Sequence, residues 1–236
     1  MQIFLKISIF FVILTTVALL PVFQRLNAVD RDDVFFQANI IEPSFDFQTD
    51  SSITKFIGIN NTINNIEYIP QELELVTNDN YNFLVASKDC YLRKDIVDQL
   101  NNVGYKFWKK FTTKKVKVFL YLNSCYRNYD SQNKLFNNNI LSNKVAKPGY
   151  SEHQLGLAVD INVWVNGAVY NLNNDHLFFL NEIMHKYGFH QTYQKGLDID
   201  GYIQEPWHWR FLGKDLAKVL YENGLSFIEY YQANIK

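Results

Sequence analysis

The sequence predicts an α+β fold, a small central antiparallel sheet flanked by helices, on three observations. A helical period over residues 88–111 gives way to a two-residue alternation that starts at Val116. Further strand-like runs gather in the middle and at the end of the chain. Helical stretches flank those runs and do not alternate with them one for one, which separates α+β from α/β patterning.

The first element stands apart. Between Lys6 and Gln24 lie 17 uncharged residues, from Ile7 to Phe23, preceded by Lys6 and followed by Arg25 and the charged run Asp30 to Asp33. That length suits a short membrane span or a signal-peptide core. Cleavage after Ala28 would put Leu26 where a small side chain is wanted, with Arg25 close by, so an uncleaved anchor is favoured over a cleaved signal. Residues 1–28 are therefore expected to be a membrane anchor or signal peptide, 29–51 a linker without sustained periodicity, and 52–236 the folded domain. On either reading the domain works outside the cytoplasm.

Within the domain, Leu92, Ile96, Leu100, Val103, Phe107 and Phe111 recur at helical steps over 88–111. Val116, Val118, Leu120 and Leu122 then alternate with Lys117, Phe119 and Tyr121 as a strand, which runs into Ser124-Cys125-Tyr126-Arg127. A second helix is expected from near Asp130. Leu157 to Trp164 reads as a strand, and Asn166-Gly167 after it is a two-residue hairpin signal. Asp175 is placed to cap a helix carrying Leu177, Leu180, Met184 and Tyr187, with Gly188 as its stop. A strand over Trp207 to Phe211 and a helix from Lys214 to Asn223 complete the domain.

Composition excludes several classes. With 47% hydrophobic and 20% charged residues the chain is neither disordered nor collagen-like. A formal net charge of −1 lacks the basic footprint of a nucleic-acid binder. The 16% aromatic content exceeds what a minimal core needs and leaves rings to line a groove. Two cysteines are too few for a disulfide scaffold or a thiolate zinc site. Cys125, close to Arg127, is either an activated thiolate or half of a disulfide with Cys90, and export favours the disulfide.

Ionisable chemistry concentrates in two stretches, Ser151 to Asp160 and Glu205-Pro206-Trp207-His208. Together they offer two imidazoles and a carboxylate, a ligand set that leaves zinc an open position for water. His153 and Asp160 are too far apart for one helix face, but a turn at Gly156 feeding the strand near Leu157 would bring them together. His208 would arrive from the neighbouring strand, and Glu205 would lean over the water without binding metal. Such a carboxylate takes a proton and passes it to a leaving amine. His176, His185 and His190 read as ordinary surface or core histidines, and Glu152 as a solvated carboxylate or a partner to a ligand. Ser151 and His153 lie too close along the chain for a serine nucleophile and its base.

The run Lys147-Pro148-Gly149-Tyr150-Ser151-Glu152-His153-Gln154-Leu155-Gly156-Leu157-Ala158-Val159-Asp160, then Gly201-Tyr202 and Glu205 to Phe211, resembles the VanY-type D-alanyl-D-alanine carboxypeptidases. Their relatives include bacterial L,D-carboxypeptidases, in a fold group shared with lysostaphin and the hedgehog signalling domain. Ser124-Cys125-Tyr126-Arg127 with Gln132 is similar to the family's upstream Tyr-Arg…Gln motif, and the likeness extends over residues 52–225. Two features depart from the family. Cys125 replaces a small residue, and His190 to Lys195 stands where an Arg-Tyr-Pro-like run is common.

The resemblance implies one zinc ion held by His153, Asp160 and His208, with Glu205 as general base. It implies that Arg127 stabilises a carbonyl oxygen or grips substrate. Ser151, Gln132 and Ser124 would hold the peptide, and Trp207 would line the pocket or pack beneath the metal strand. The implied reaction removes terminal D-Ala from peptidoglycan stem peptides, with D,D- or L,D-specificity. The N-terminal segment and the net charge add the expected setting: a monomer at the periplasmic or extracytoplasmic face, attached to the membrane through its N-terminal segment and without nucleic acid. An endopeptidase of the same fold and an inactive wall-binding module are the alternatives. Retention of all three ligands and Glu205 argues against the module.

Overall fold

The computed structural model describes residues 44–79, 81–139 and 144–235. The expected membrane segment and most of the expected linker lie outside the described residues. Among the described residues no helix is long and apolar enough to cross a membrane.

Two short strands, β1 (Leu73–Leu75) and β3 (Tyr91–Arg93), pair antiparallel, with β2 (Phe83–Val85) between them in sequence. Helix α1 (Lys94–Phe111) follows directly. The helical expectation from residue 88 is thus corrected at its start, because Tyr91 to Arg93 satisfy their backbone against β1. Leu92 is buried as the period required, but from a strand. The buried face of α1 carries Ile96, Leu100, Val103 and Phe107. Gly104 belongs to that face because a Cβ there would sit 2.6 Å from the Asn82 carbonyl oxygen.

The alternation at Val118, Leu120 and Leu122 becomes strand β4 (Val118–Ser124), those three residues facing the core. It leads into α2 (Tyr129–Asn137), capped by the Asn128 side chain. The long strand β5 (Ala158–Val165) turns at Asn166 and Gly167, both with positive φ, into β6 (Ala168–Tyr170). That pair of angles matches the twist of the flanking strands. Helix α3 (Asn174–Met184) follows and runs into a 3-10 turn over His185–Tyr187, which Gly188 ends at φ 88°. Its cap is Asn173, not Asp175. Asn173 is extended and its side chain accepts the His176 N–H, whereas Asp175 lies inside the first turn.

Strand β7 (Phe189–His190), the short helix α4 (Leu197–Asp200), β8 (His208–Phe211), α5 (Lys214–Asn223) and α6 (Phe227–Asn234) complete the order. The main sheet runs β2-β4-β5-β8-β7, with β6 on β5. Every pairing in it is antiparallel except β2 with β4, which is parallel. The expected antiparallel sheet is thus present, with one parallel pair added at its edge. The chain between β2 and β4 passes through β3 and α1, the kind of long crossover that parallel neighbours need.

Residues 44–51 also depart from the expected linker. Phe45 and Phe47 make ring contacts with Tyr230, and Phe47 also with Phe227 and Tyr231 of α6. Phe56 stacks on Tyr231 at 3.8 Å. The folded unit accordingly starts before residue 52.

A disulfide joins Cys90 to Cys125 across 35 residues, with Cα atoms 5.3 Å apart. It ties the start of β3, not α1, to the loop that carries Arg127. Closing a loop of this length is worth about 3–4 kcal/mol. The Cys90→Ser, Cys125→Ser double variant should lose stability of that order in denaturant titration. An unchanged midpoint would mean that the reduced chain is already constrained there.

Candidate metal and active site

The site begins at a short 3-10 helix, Glu152–Leu155, whose four residues are all buried. Gly156 ends it in the left-handed region at φ 68°, its N–H bonded to the His153 carbonyl. A Cβ there would also press within 3.0–3.4 Å of Leu73, Arg93 and Pro70 side chains. This turn delivers the chain into β5 and brings His153 to face Asp160. His153 Nδ1 lies 2.8 Å from the Cys125 carbonyl oxygen, so its other nitrogen, Nε2, points inward to within 3.3 Å of Asp160 Oδ2.

The third member comes from strand register. Asp160 on β5 pairs directly with His208 on β8, which places their side chains together on one face. His208 Nδ1 lies 3.1 Å from Asp160 Oδ1. One donor atom from each of His153, Asp160 and His208 falls within 4.8 Å of the others. Zinc bonds of about 2.0–2.2 Å require tetrahedral donors roughly 3.3 Å apart. The two imidazoles stand at about that spacing from the two oxygens of Asp160, one on each, so a small adjustment of the carboxylate would let the three residues hold such an ion.

Glu205 sits beside the trio. The His208 N–H donates to the Glu205 carbonyl in a tight turn, which leaves Glu205 Oε2 3.9 Å from His208 Nδ1. Burial pushes the Glu205 carboxyl up to about 7, against the pull of His208 and Arg127. Burial also opposes charge on Asp160, yet the two imidazoles hold its carboxyl well below the usual range. For His208 burial is again outweighed: hydrogen bonds to Asp160 and Glu152 push its ring up to about 10 in the protein alone.

Arg127 faces the same space. Its Nη1 donates to Ser124 Oγ at 2.8 Å and its Nε to Gln132 Oε1 at 3.0 Å, while Asp160 Oδ2 lies 3.9 Å away. Gln132 is anchored in turn by donating to the Ala146 carbonyl. In the structure, then, Ser124 and Gln132 hold the guanidinium itself. The cleft, of about 170 Å³, is lined by Arg127, Gln132, Ser151, Glu205 and Trp207 with the three donors. Trp207, 38% exposed, is at its wall and not beneath the metal strand.

Of the two readings left open for Glu152, the geometry removes the solvated one and favours the partner: it is 1% exposed, bonded to His208 Nε2 at 2.8 Å and to the Thr192 hydroxyl at 2.7 Å. Its own neighbours were not anticipated from sequence. The departing stretch His190 to Lys195 supplies that Thr192. It also supplies Tyr193, which lines the cleft and stacks on His208 at 4.7 Å. Arg210, fully buried, approaches Glu152 to 3.6 Å. The signal for Arg210 was available, since residues two apart on a strand share a face and His208 therefore had a cation beside it. Tyr193 was signalled only as part of the departing His190 to Lys195 stretch, not as a residue of the site. His176 packs against Phe107 and Phe111, and His185 stacks on Tyr221, both remote from the cleft.

Comparison with known proteins agrees with this geometry. A family model described as VanY, D-alanyl-D-alanine carboxypeptidase, matches residues 90–214. A Bacillus subtilis (strain 168) protein named as a carboxypeptidase, YodJ, is 34% identical over 176 residues, covering 70% of this chain and 62% of its own. The chain thus spans about three-fifths of the length of that relative. Among solved structures, the LD-carboxypeptidase LdcB matches with a TM-score of 0.63 and 28% identity, over 78% of this chain and 87% of LdcB. A vancomycin-resistance D,D-pentapeptidase, VanY, solved in complex with Zn(II), matches with a TM-score of 0.60 and 26% identity, over 75% and 97%. The family match spans more than half of the sequence and takes in every donor and cleft residue argued above from geometry, so the chain belongs to the VanY D-alanyl-D-alanine carboxypeptidase family.

Proposed function

We propose that this chain is a zinc-dependent carboxypeptidase that removes the terminal D-Ala from peptidoglycan stem peptides outside the cytoplasm. One observation carries the reading: three metal-type donors, an unliganding carboxylate and an arginine converge on a single cleft. His153, Asp160 and His208 would hold the ion. Zinc there supplies Lewis acidity that activates water and polarises a carbonyl. Glu205 takes the proton of the attacking water and hands it to the departing D-Ala amine. Its raised carboxyl pKa suits both transfers. Arg127, held in plane by Ser124 and Gln132, offers its remaining N–H groups to the substrate's terminal carboxylate or to the developing oxyanion. Ser151 and Trp207 flank the peptide. The disulfide and the N-terminal apolar segment both support export, with the segment as membrane anchor.

The deciding experiment is incubation of the zinc-loaded protein with defined muropeptides, with products read by mass spectrometry. Loss of a single terminal D-Ala is expected. Cleavage within a cross-bridge, or no cleavage of any stem peptide, would overturn the reading.

Arg127→Lys tests the anchoring role. Lysine keeps the charge but loses the planar fork that Ser124 and Gln132 orient. A lost charged hydrogen bond is worth about 1.5–3 kcal/mol, so kcat/KM should fall about 10- to 100-fold with little change in melting temperature. A variant that unfolds, yet cleaves normally in its folded fraction, would make Arg127 structural.

A further inference from the structure

We propose that Glu152 is a positioning residue that sets the ring of His208, so that Nδ1 and not Nε2 faces the cation. The proposal rests on the zinc reading above and adds to it a residue that touches neither metal nor substrate.

His208 has two nitrogens and each has a distinct neighbour. Nε2 lies 2.8 Å from Glu152 Oε2, while Nδ1 lies 3.1 Å from Asp160 Oδ1 and 3.9 Å from Glu205 Oε2. A carboxylate only accepts hydrogen bonds, so the Glu152 contact requires the hydrogen at Nε2; Nδ1, which also faces a carboxylate in the protein alone, is the nitrogen left to give up its hydrogen and offer a lone pair to the cation. That is the nitrogen turned toward Asp160, His153 and the cleft.

Glu152 can orient a ring only if it is itself immobile. The Thr192 hydroxyl donates to Oε2 at 2.7 Å, and Arg210 Nη1 stands 3.6 Å from Oε1. Arg210 is fixed by donating from Nε to the Phe211 carbonyl and from Nη2 to the carbonyls of Ile53 and Lys55. Tyr193 closes the remaining side by stacking on the His208 ring. Glu152 and His153 are neighbours on one 3-10 turn, so the segment that contributes one metal donor also orients the other. A buried ion pair linking two segments is by itself weak grounds for stability. The bond to His208 gives this one a task, and loss of such a partner typically costs 10–100-fold in metal affinity.

The test uses the full chain and zinc alone as probe. Glu152→Gln keeps the shape and one acceptor oxygen but removes the charge. Chelator competition should show zinc bound 10- to 100-fold more weakly than in the parent, while Thr192→Val should weaken it less and in the same direction. Nitrogen-15 spectra of the zinc-loaded parent should show His208 protonated at Nε2 and metal-bound at Nδ1. This second measurement decides the matter should Glu152→Gln fail to fold. Unchanged zinc affinity in folded Glu152→Gln, even with a lowered melting temperature, would reduce Glu152 to a structural ion pair. His208 bound through Nε2 in the parent would overturn the proposal outright. A parent that binds no zinc would sink the zinc reading and this inference together.

Discussion

Glu205→Gln should bind zinc as the parent does and lose roughly 10²–10⁴-fold in kcat, the usual contribution of a positioned general base. The two halves of this expectation come from different distances. Glu205 Oε2 stands 3.9 Å from His208 Nδ1, on the cleft side of a trio that already offers three donors. Glutamine preserves its volume and the backbone turn through which Glu205 receives the His208 N–H. It cannot accept a proton from water and return it to an amine. Burial pushes the native carboxyl up to about 7 in the protein alone, which strengthens it as a base, and a dication beside it would pull that value down again. Parent activity should therefore fall as pH drops through the carboxyl's pKa, and the residual activity of the variant should lose that acid limb. Zinc stoichiometry and kcat on a stem peptide, measured on one preparation, check both halves. Zinc lost together with activity would make Glu205 a ligand; full activity would remove it from the reaction.

What the sequence made legible was local or periodic. Val118, Leu120 and Leu122 announced β4 through alternation, and the Asn166-Gly167 turn fixed where β5 reverses. Gly156 was readable as the hinge between His153 and Asp160 because only a left-handed residue could turn the chain so sharply. That His208 arrives on the strand beside Asp160 was readable, whereas their direct pairing is a matter of register that only the structure shows. Less accessible were features set by contact between distant segments. Strand β2 is three residues long and owes its existence to β4. The aromatic cluster of Phe47, Phe56, Phe227 and Tyr231 joins the two ends of the domain, so neither end shows a pattern alone. Glu152 stayed open between a solvated carboxylate and a partner to a ligand because its compensating partners, Thr192 and Arg210, lie 40 and 58 positions away. Burial of a charge is decided by such partners, and they are not visible along the chain.

Asp160→Asn should abolish stoichiometric zinc binding and with it the activity, while the chain still folds. Asp160 is the hinge of the donor set: Oδ2 lies 3.3 Å from His153 Nε2, Oδ1 3.1 Å from His208 Nδ1, and Arg127 stands 3.9 Å off. Asparagine fills the same space but brings no negative charge to a dication and presents an N–H₂ where one oxygen stood. The consequence is readable without any substrate. Ligand binding to the native state adds RT ln(1 + [L]/Kd), about 2.7 kcal/mol with zinc at 100 times its Kd. Zinc should thus raise the parent's melting temperature and leave that of Asp160→Asn unmoved. In the absence of zinc the sign is different again. The Asp160 carboxyl is held well below its ordinary value, so it contributes stability above the unfolded-state pKa and loses it as pH falls through the folded-state one. Metal-free Asp160→Asn should accordingly be less stable than the metal-free parent at neutral pH, and the gap should close in acid. A variant that still gains stability from zinc as the parent does would show that the ion sits elsewhere, and the assignment of His153 and His208 as its ligands would fall with it.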